Sequence, residues 1–284
     1  MKRAVDAAVA VAREAGLEVR EPRLLRDLTN VLVHLAPAPV VARVPVTFTR
    51  VRGRAWIERE LELTAFLAGS GAKVAGPARS VYPGPYEQDG FLVTLWEYFE
   101  HDPDRPLDAR RAGEALREVH ELLVGYDVRG LDHFARLDEI ETLVALLDLS
   151  AAERRLFQKA LQAAGESVAQ LDLALQPVHG DAHLGNVLRA PSGPHWSDFE
   201  NLCLGPRELD VACNEIRART RGREWEDDEL LAGYGDFDAE LVRLLIPVHA
   251  LFLAAWTFEL AERTPAVRPH AIERLGWVRE GFGV

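Results

Sequence analysis

An α+β fold in two lobes is predicted for this chain: a small sheet-containing amino-terminal lobe over residues 1–98 and a mainly helical carboxy-terminal lobe over residues 99–284. Three observations predict it. Short apolar strand patterns separated by turns crowd the amino-terminal third, the sequence D-P-D-R-P from Asp102 to Pro106 breaks the pattern, and beyond it helical periodicity dominates. A chain of 284 residues with 48% hydrophobic composition buries a core large enough for two lobes around a cleft.

The elements follow in order. Residues 1–16 suit a helix ending near Gly16. VLVHL (Val31 to Leu35) and VVARVPV (Val40 to Val46) suit two strands around the turn APAP, a hairpin. Trp56 to Ala68 carries apolar residues at the spacing of a helix with one inward face, and Gly69 and Gly71 stop it. Val74 to Ser80 and Phe91 to Tyr98 are expected as strands on either side of the turn-rich PGPYEQDG. Trp96 to Asp102 then joins the lobes. Asp108 to Leu123 and Leu137 to Leu149 suit helices, and Ala151 to Leu175 suits one long helix or two shorter ones around Gly165. The most apolar late stretch, Leu244 to Trp256, is too short to span a bilayer and contains Pro247 and His249, so it is expected as a buried helix that the proline bends or begins.

Composition narrows the function. With 33 Lys and Arg against 45 Asp and Glu, the formal charge of -12 gives no general attraction to nucleic acid or an anionic membrane, and neither is expected as a partner. The amino end is interrupted by Asp6, Arg13 and Glu14 and lacks the apolar core of an export signal. Cys203 and Cys213, the only cysteines, suit a reducing compartment, and a cytoplasmic location is expected. No oligomeric state follows from the sequence.

Chemistry concentrates in PVHGDAHLGNVLRA and HWSDFENLCLGPRELD. His179, Asp181, His183 and Asn186 lie between apolar anchors, and Asp198 follows at the end of the expected strand HWSDF, where a hairpin returns it beside Asn186. One carboxylate and one amide carbonyl suit Mg2+, which prefers oxygen ligands and keeps several waters, so Asn186 and Asp198 are the candidate metal ligands. Asp181 suits the base that orients an acceptor hydroxyl and takes its proton. D-x-x-x-x-N from Asp181 to Asn186 has the spacing of the protein-kinase catalytic loop, and D-F-E at Asp198 stands in the place of D-F-G.

HGDAHLGN followed by SDFE resembles the signature of the aminoglycoside phosphotransferase and choline kinase-like superfamily, over roughly residues 25–260. The resemblance implies a bilobal protein-kinase-like fold with the nucleotide between the lobes. Asp181 is then the catalytic base, and Asn186 and Asp198 hold Mg2+. It also implies that Arg43, in VVARVPV, meets triphosphate oxygens and that Glu60 pairs with it from the following helix. Many relatives use lysine there, and arginine brings a wider planar set of donors. No G-x-G-x-x-G lies between Asn30 and Arg43. Trp96, Glu97 and Tyr98 fall at the lobe connection, where they either wall the nucleotide base or pack the connector. Asp210 resembles the aspartate that braces the catalytic loop.

The expected activity is Mg-dependent transfer of the γ-phosphoryl group of ATP, ahead of GTP, to a hydroxyl of a small molecule. Glu224, Glu226, Asp227, Asp228 and Glu229 form an acidic run that either attracts an amino-bearing acceptor or begins a solvated helix. His249, Trp256 and Glu259 share a helical pattern that can face the cleft. Two alternatives stand beside this reading. One is a non-catalytic nucleotide-binding interaction protein on the same fold; the other is a zinc hydrolase built on H-G-D-A-H.

Overall fold

In a computed structural model of the chain, residues 1–47, 49–127 and 129–284 are described. The amino-terminal elements are α1 (Lys2–Glu14), β1 (Val19–Asp27), β2 (Asn30–Pro37), β3 (Val40–Pro45), α2 (Arg54–Gly69), β4 (Tyr86–Gln88), β5 (Phe91–Glu97) and α3 (Ala109–Leu123). Then come α4 (Leu137–Leu146), α5 (Ala151–Val168), β6 (Gln176–Val178), β7 (Val187–Ala190), β8 (Gly193–Trp196) and β9 (Cys203–Gly205). The chain closes with α6 (Glu208–Arg221), α7 (Trp225–Tyr234), α8 (Ala239–Arg263) and α9 (Arg268–Phe282). The architecture is the bilobal α+β arrangement of the protein-kinase-like fold, sheet-rich first and helical afterwards. By packing, Met1–Leu122 and Asn186–Glu200 form one compact unit, and Leu123–Gly185 and Asn201–Val284 form another.

The first unit is built on a five-stranded antiparallel sheet of order β1-β2-β3-β5-β4. Val31, Val33, Leu35, Ala42, Val44, Val93 and Leu95 fill one core with α1, which presents Ala4, Ala7, Ala8, Val11 and Ala12. So many alanines let the helix approach the sheet closely, and burying this face is what holds a short helix in place. The expected hairpin forms, with Leu32 opposite Arg43 and His34 opposite Val41.

Two strand assignments change. Val74 to Ser80 is not a strand: it makes only isolated bridges, Val74 to Trp196 and Pro77 to Trp96, and a proline supplies no N–H for a ladder. The strand beside β5 is instead β4, inside the segment expected as a turn. The edge strand β1 was not anticipated either. Its sequence VREPRLLRD is exposed almost throughout, so no alternation marks a buried face.

Trp196 anchors the β7–β8 hairpin within this unit. Its indole Nε1 donates to the Ala112 carbonyl (2.9 Å), its N–H to the Lys73 carbonyl (2.8 Å), and its carbonyl accepts from Ala75 N–H (2.7 Å).

In the second unit, α5 begins in a capping box between Ser150 and Glu153 and runs through Gly165 as one helix. The expected late apolar helix is present inside α8, which spans 25 residues with Pro247 within it. By length and composition alone α8 could cross a membrane, but 67% of its apolar window is buried inside the protein, as suits a core helix packed on α6 and α9. The acidic run starts α7: Glu224 and Asp227 form its capping box, Arg221 pairs with both, and Arg223 pairs with Asp228. These carboxylates are engaged in ending one helix and beginning the next. Cys203 and Cys213 are buried free thiols.

Replacing Trp196 by Phe is expected to keep the fold but lower unfolding free energy by about 1–3 kcal/mol, because a buried bond and packing volume are lost together. Denaturant melts of parent and Trp196→Phe protein check this; coincident midpoints would remove Trp196 as the anchor.

Candidate active site

Within the first unit, Arg43 projects from β3 and Glu60 from the inward face of α2, both buried. The guanidinium meets the carboxylate as a two-point fork: Arg43 Nη1 donates to Glu60 Oε1 at 2.7 Å and Nη2 donates to Oε2. Burial alone would favour a neutral Arg43, but Glu60, and then Glu200 and Asp198, hold it firmly cationic. Its Nη1 stands 3.9 Å from Asp198 Oδ1, and its guanidinium lies 4.8 Å from the Trp96 ring centroid. Its Nε, buried, has no hydrogen-bond partner among the described residues. A cavity of about 330 Å³ opens on this pair and is also lined by Arg52, Trp56 and Glu200.

The β7–β8 register decides how the metal candidates meet. Val187 pairs with Trp196, and just beyond that pair Ser197 donates both its N–H and its Oγ to the Asn186 carbonyl at 2.9 Å. Asn186 and the turn carrying Asp198 therefore lie side by side, as the hairpin expectation required. Asp198 itself adopts φ 66°, a left-handed conformation that aspartate tolerates better than most residues.

Glu200 is a member of this cluster that sequence reasoning missed, although it stands in the D-F-E motif itself. Asn30 Nδ2 donates to its Oε2 (2.7 Å), and Arg52 and the Trp56 indole donate to its carbonyl (2.9 and 2.7 Å). Burial and the neighbouring Asp198 charge push its carboxyl up to about 7, against the pull of Arg43, Asn30 and Arg52. Two carboxyl groups that resist ionising together, on a turn held to the Asn186 backbone through Ser197, are oxygen donors suited to a hard divalent cation. No group of three or more His, Cys, Asp or Glu suited to a metal occurs among the described residues, so the zinc alternative lacks a ligand set there.

Glu97 and Tyr98 face other partners. Glu97 pairs with Arg79 at 3.2 Å, Tyr98 stacks on His34 with ring centroids 3.7 Å apart, and their N–H groups donate to the carbonyls of Gly76 and Pro39.

The second unit holds Asp181 in the loop that follows β6. Asp210, on the first turn of α6, accepts the N–H of His179 (2.9 Å) and of Gly180 (2.7 Å). This is the brace expected of Asp210. Gly180 has φ 78°, and a Cβ there would come within 1.9 Å of the Asn201 carbonyl oxygen, so only glycine fits. Arg136 secures the opposite wall, donating to the carbonyls of Asn201 and Leu202 while pairing with Glu139.

Asp181 faces two buried histidines. His183 Nε2 stands 3.7 Å from its Oδ2, and His249 Nε2, reaching in from α8, stands 3.9 Å from its Oδ1. His183 Nδ1 accepts the Gly185 N–H at 3.0 Å, so the neutral ring carries its proton on Nε2, facing the carboxylate. Burial alone would raise the Asp181 carboxyl, but His183, then His249 and Arg217, hold it well below the usual carboxylate range. It is an anion at neutral pH. Burial lowers His183, and it lowers His249 to about 4, so neither ring is charged there. Arg217, and Arg274 on α9, complete this surrounding; neither was singled out from sequence, and α9 carried no motif to mark it.

Comparison with known proteins bears on the family and the fold. The sequence pattern of the phosphotransferase enzyme family (APH) matches residues 18–245. Among solved structures, amicoumacin kinase hAmiN in complex with AMP-PNP, Ca2+ and Ami is similar, with 14% identity over 97% of this chain and 95% of that one and a TM-score of 0.73. Choline kinase LicA from Streptococcus pneumoniae gives 16% identity over 96% and 98%, TM-score 0.73. A choline/ethanolamine kinase family protein from Mesorhizobium loti gives 19% over 100% and 95%, TM-score 0.67. At these identities the likeness is one of fold.

His249 supplies a pH prediction. Its native pKa lies below that of an unfolded histidine near 6.5, so the unfolded chain takes up a proton first as pH falls, and stability drops between pH 6.5 and 4. Between pH 7 and 4.5 the parent should lose about 2–3 kcal/mol more than His249→Gln. Parallel pH–stability curves for the two proteins would refute a buried neutral His249.

Proposed function

The chain belongs to the phosphotransferase enzyme family, and from that premise we infer that it transfers the γ-phosphoryl group of Mg-ATP to a hydroxyl of a small acceptor, ATP being preferred to GTP. The observation that carries this reading is the juxtaposition of a buried, forked Arg43–Glu60 pair with Asp198, 3.9 Å from the guanidinium, on a hairpin that also carries Asn186. A cation locked beside a carboxylate suits a metal-bound triphosphate: Arg43 attracts phosphate oxygens, with its buried Nε as a donor not used within the protein, while Asn186 and Asp198 would hold the ion. Bound Mg2+ neutralises charge on the triphosphate and helps orient its oxygens for in-line transfer.

In this reading Asp181 accepts the acceptor hydroxyl's proton from an anionic, oriented state. A carboxylate of depressed pKa is a weak base in the ground state, so its contribution is mainly to aim the hydroxyl and to receive the proton late, as the new P–O bond forms. The neutral His183 and His249 support that: they steady the anion without competing as cations for the phosphoryl group. Trp96, Glu97 and Tyr98 are assigned to packing at the nucleotide base, since two of their N–H groups are already engaged by backbone carbonyls. Intact Asp181, Asn186 and Asp198 favour turnover over the non-catalytic alternative.

Asp181→Asn should retain folding and Mg-nucleotide binding but slow transfer to the true acceptor by roughly 10²- to 10⁴-fold. Turnover within about twofold of the parent at saturating substrates would remove the assigned base. Asn186→Ala and Asp198→Ala should instead weaken the Mg dependence of nucleotide binding more than Asp181→Asn does. Nucleotide titrations at several Mg concentrations read this directly, and unchanged coupling in both folded variants would remove the metal roles.

A further inference from the structure

Two arginines around Asp181 have neither a counter-ion nor a full set of acceptors among the described residues. Other arginines of low exposure are held by the protein: Arg43 pairs with Glu60, Arg136 with Glu139 and Arg268 with Glu153, while Arg154 donates to the carbonyls of Val144 and Leu147 and Arg189 to that of Arg105. Arg217, half-buried on α6, makes no hydrogen bond or ion pair among the described residues; its Nη2 lies 3.9 Å from where a Cβ on Gly185 would sit, beside the Asp181 loop. Arg274, half-buried on α9, donates to the Thr257 hydroxyl on α8, and its buried Nε has no partner. No carboxylate among the described residues lies within ion-pair distance of either guanidinium.

The two are near enough to feel each other. Burial first, and then the Arg217 charge, disfavour the cationic form of Arg274. Arg217 likewise acts on Asp181 and His183 electrostatically without reaching either. Arg217 is therefore not a direct ion-pair partner of Asp181. Asn214, one turn before Arg217 on α6, adds a second unusual feature: it is 1% exposed, yet neither its amide oxygen nor its nitrogen has a partner among the described residues. Residues three apart share a helix face. Buried donors and acceptors left without a partner are costly, and here the protein itself supplies none among the described residues.

We propose that Arg217 and Arg274 form an anion subsite beside Asp181, with Asn214 at its edge, so that the phosphorylated hydroxyl belongs to an acceptor carrying a carboxylate or phosphate group. A guanidinium pair grips either anion through parallel N–H donors. The subsite orients the acceptor by its charged end, leaving its hydroxyl for Asp181. The inference rests on the reading of Asp181 as the base, but the binding it predicts does not depend on turnover.

The test uses the full chain with Mg2+ and AMP-PNP, titrated with matched acceptor panels: hydroxy-carboxylates, their neutral amides, sugar and polyol phosphates, the unphosphorylated polyols, and choline with ethanolamine. Anionic members should bind at least about tenfold tighter than their neutral counterparts, and comparison of the carboxylate and phosphate arms identifies the anion. Arg217→Gln and Arg274→Gln should each erase that preference while AMP-PNP affinity holds; Arg217→Lys, which keeps the charge, should retain part of it and guards against a misfolded variant. Equal binding of charged and neutral members, a preference for the cations, or an anion preference that survives both Gln variants would overturn the subsite. Turnover then separates the two ideas. Phosphorylation confined to neutral or cationic acceptors sinks the subsite and leaves the phosphotransferase, whereas arginine-dependent anion binding without turnover leaves the subsite and sinks the catalytic reading.

Discussion

The Asp210 carboxylate is the constraint on which the loop carrying Asp181 depends. By accepting the N–H groups of His179 and Gly180 it fixes the backbone immediately before Asp181, and the bonds are charge-assisted and buried. The turn they impose requires φ 78° at Gly180 and leaves no room for a side chain against the Asn201 carbonyl, which Arg136 holds from the other side. A buried anion, a buried cation and one glycine thus determine where a single carboxylate stands. Each has an exacting need that the others meet, which is why such polar networks are specific only when every member is satisfied.

Charge is managed differently in the two units. Around Arg43 the protein supplies its own counter-ion, and the cost of burying a guanidinium is offset by Glu60 in a forked geometry. The like-charged Asp198 and Glu200 are left in tension beside it, with Glu200 yielding by holding its proton near neutral pH. Around Asp181 the pattern inverts: the anion is steadied by neutral histidines, and two arginines nearby have no carboxylate within ion-pair distance among the described residues. Surplus negative character in one place and surplus positive character in the other are both states that ligands of opposite sign relieve.

Legibility in the sequence followed the local character of each signal. The β2–β3 hairpin was visible because two apolar runs flank a proline turn, and α2 because its inward face repeats at helical spacing. Strand β1 was invisible for the converse reason: an edge strand with both faces wet has no period to detect. Val74 to Ser80 has the composition of a strand, yet Pro77 and the neighbouring hairpin leave it only isolated bridges. The acidic run before α7 carried two meanings until Arg221 and Arg223 were seen to pair with it.

What the sequence alone determined was the local placement of Asp181, Asn186 and Asp198: they sit in motifs of short, ordered spacing, and loop and hairpin geometry is a property of neighbouring residues. Tertiary structure alone decided the rest of the surroundings. His249 reaches Asp181 from α8, Arg274 enters from α9 and Arg217 from α6, and Glu200 becomes a perturbed carboxyl only when Asn30, Arg52 and Arg43 are folded around it. Arg217 and Arg274 have no signature in their own stretches of chain, and neither the helical pattern around His249 nor the D-F-E motif around Glu200 tells which charges packing brings beside them. A side chain's charge state and its lack of a partner depend on which distant residues packing brings within a few ångströms, and burial amplifies those interactions by removing the water that would screen them.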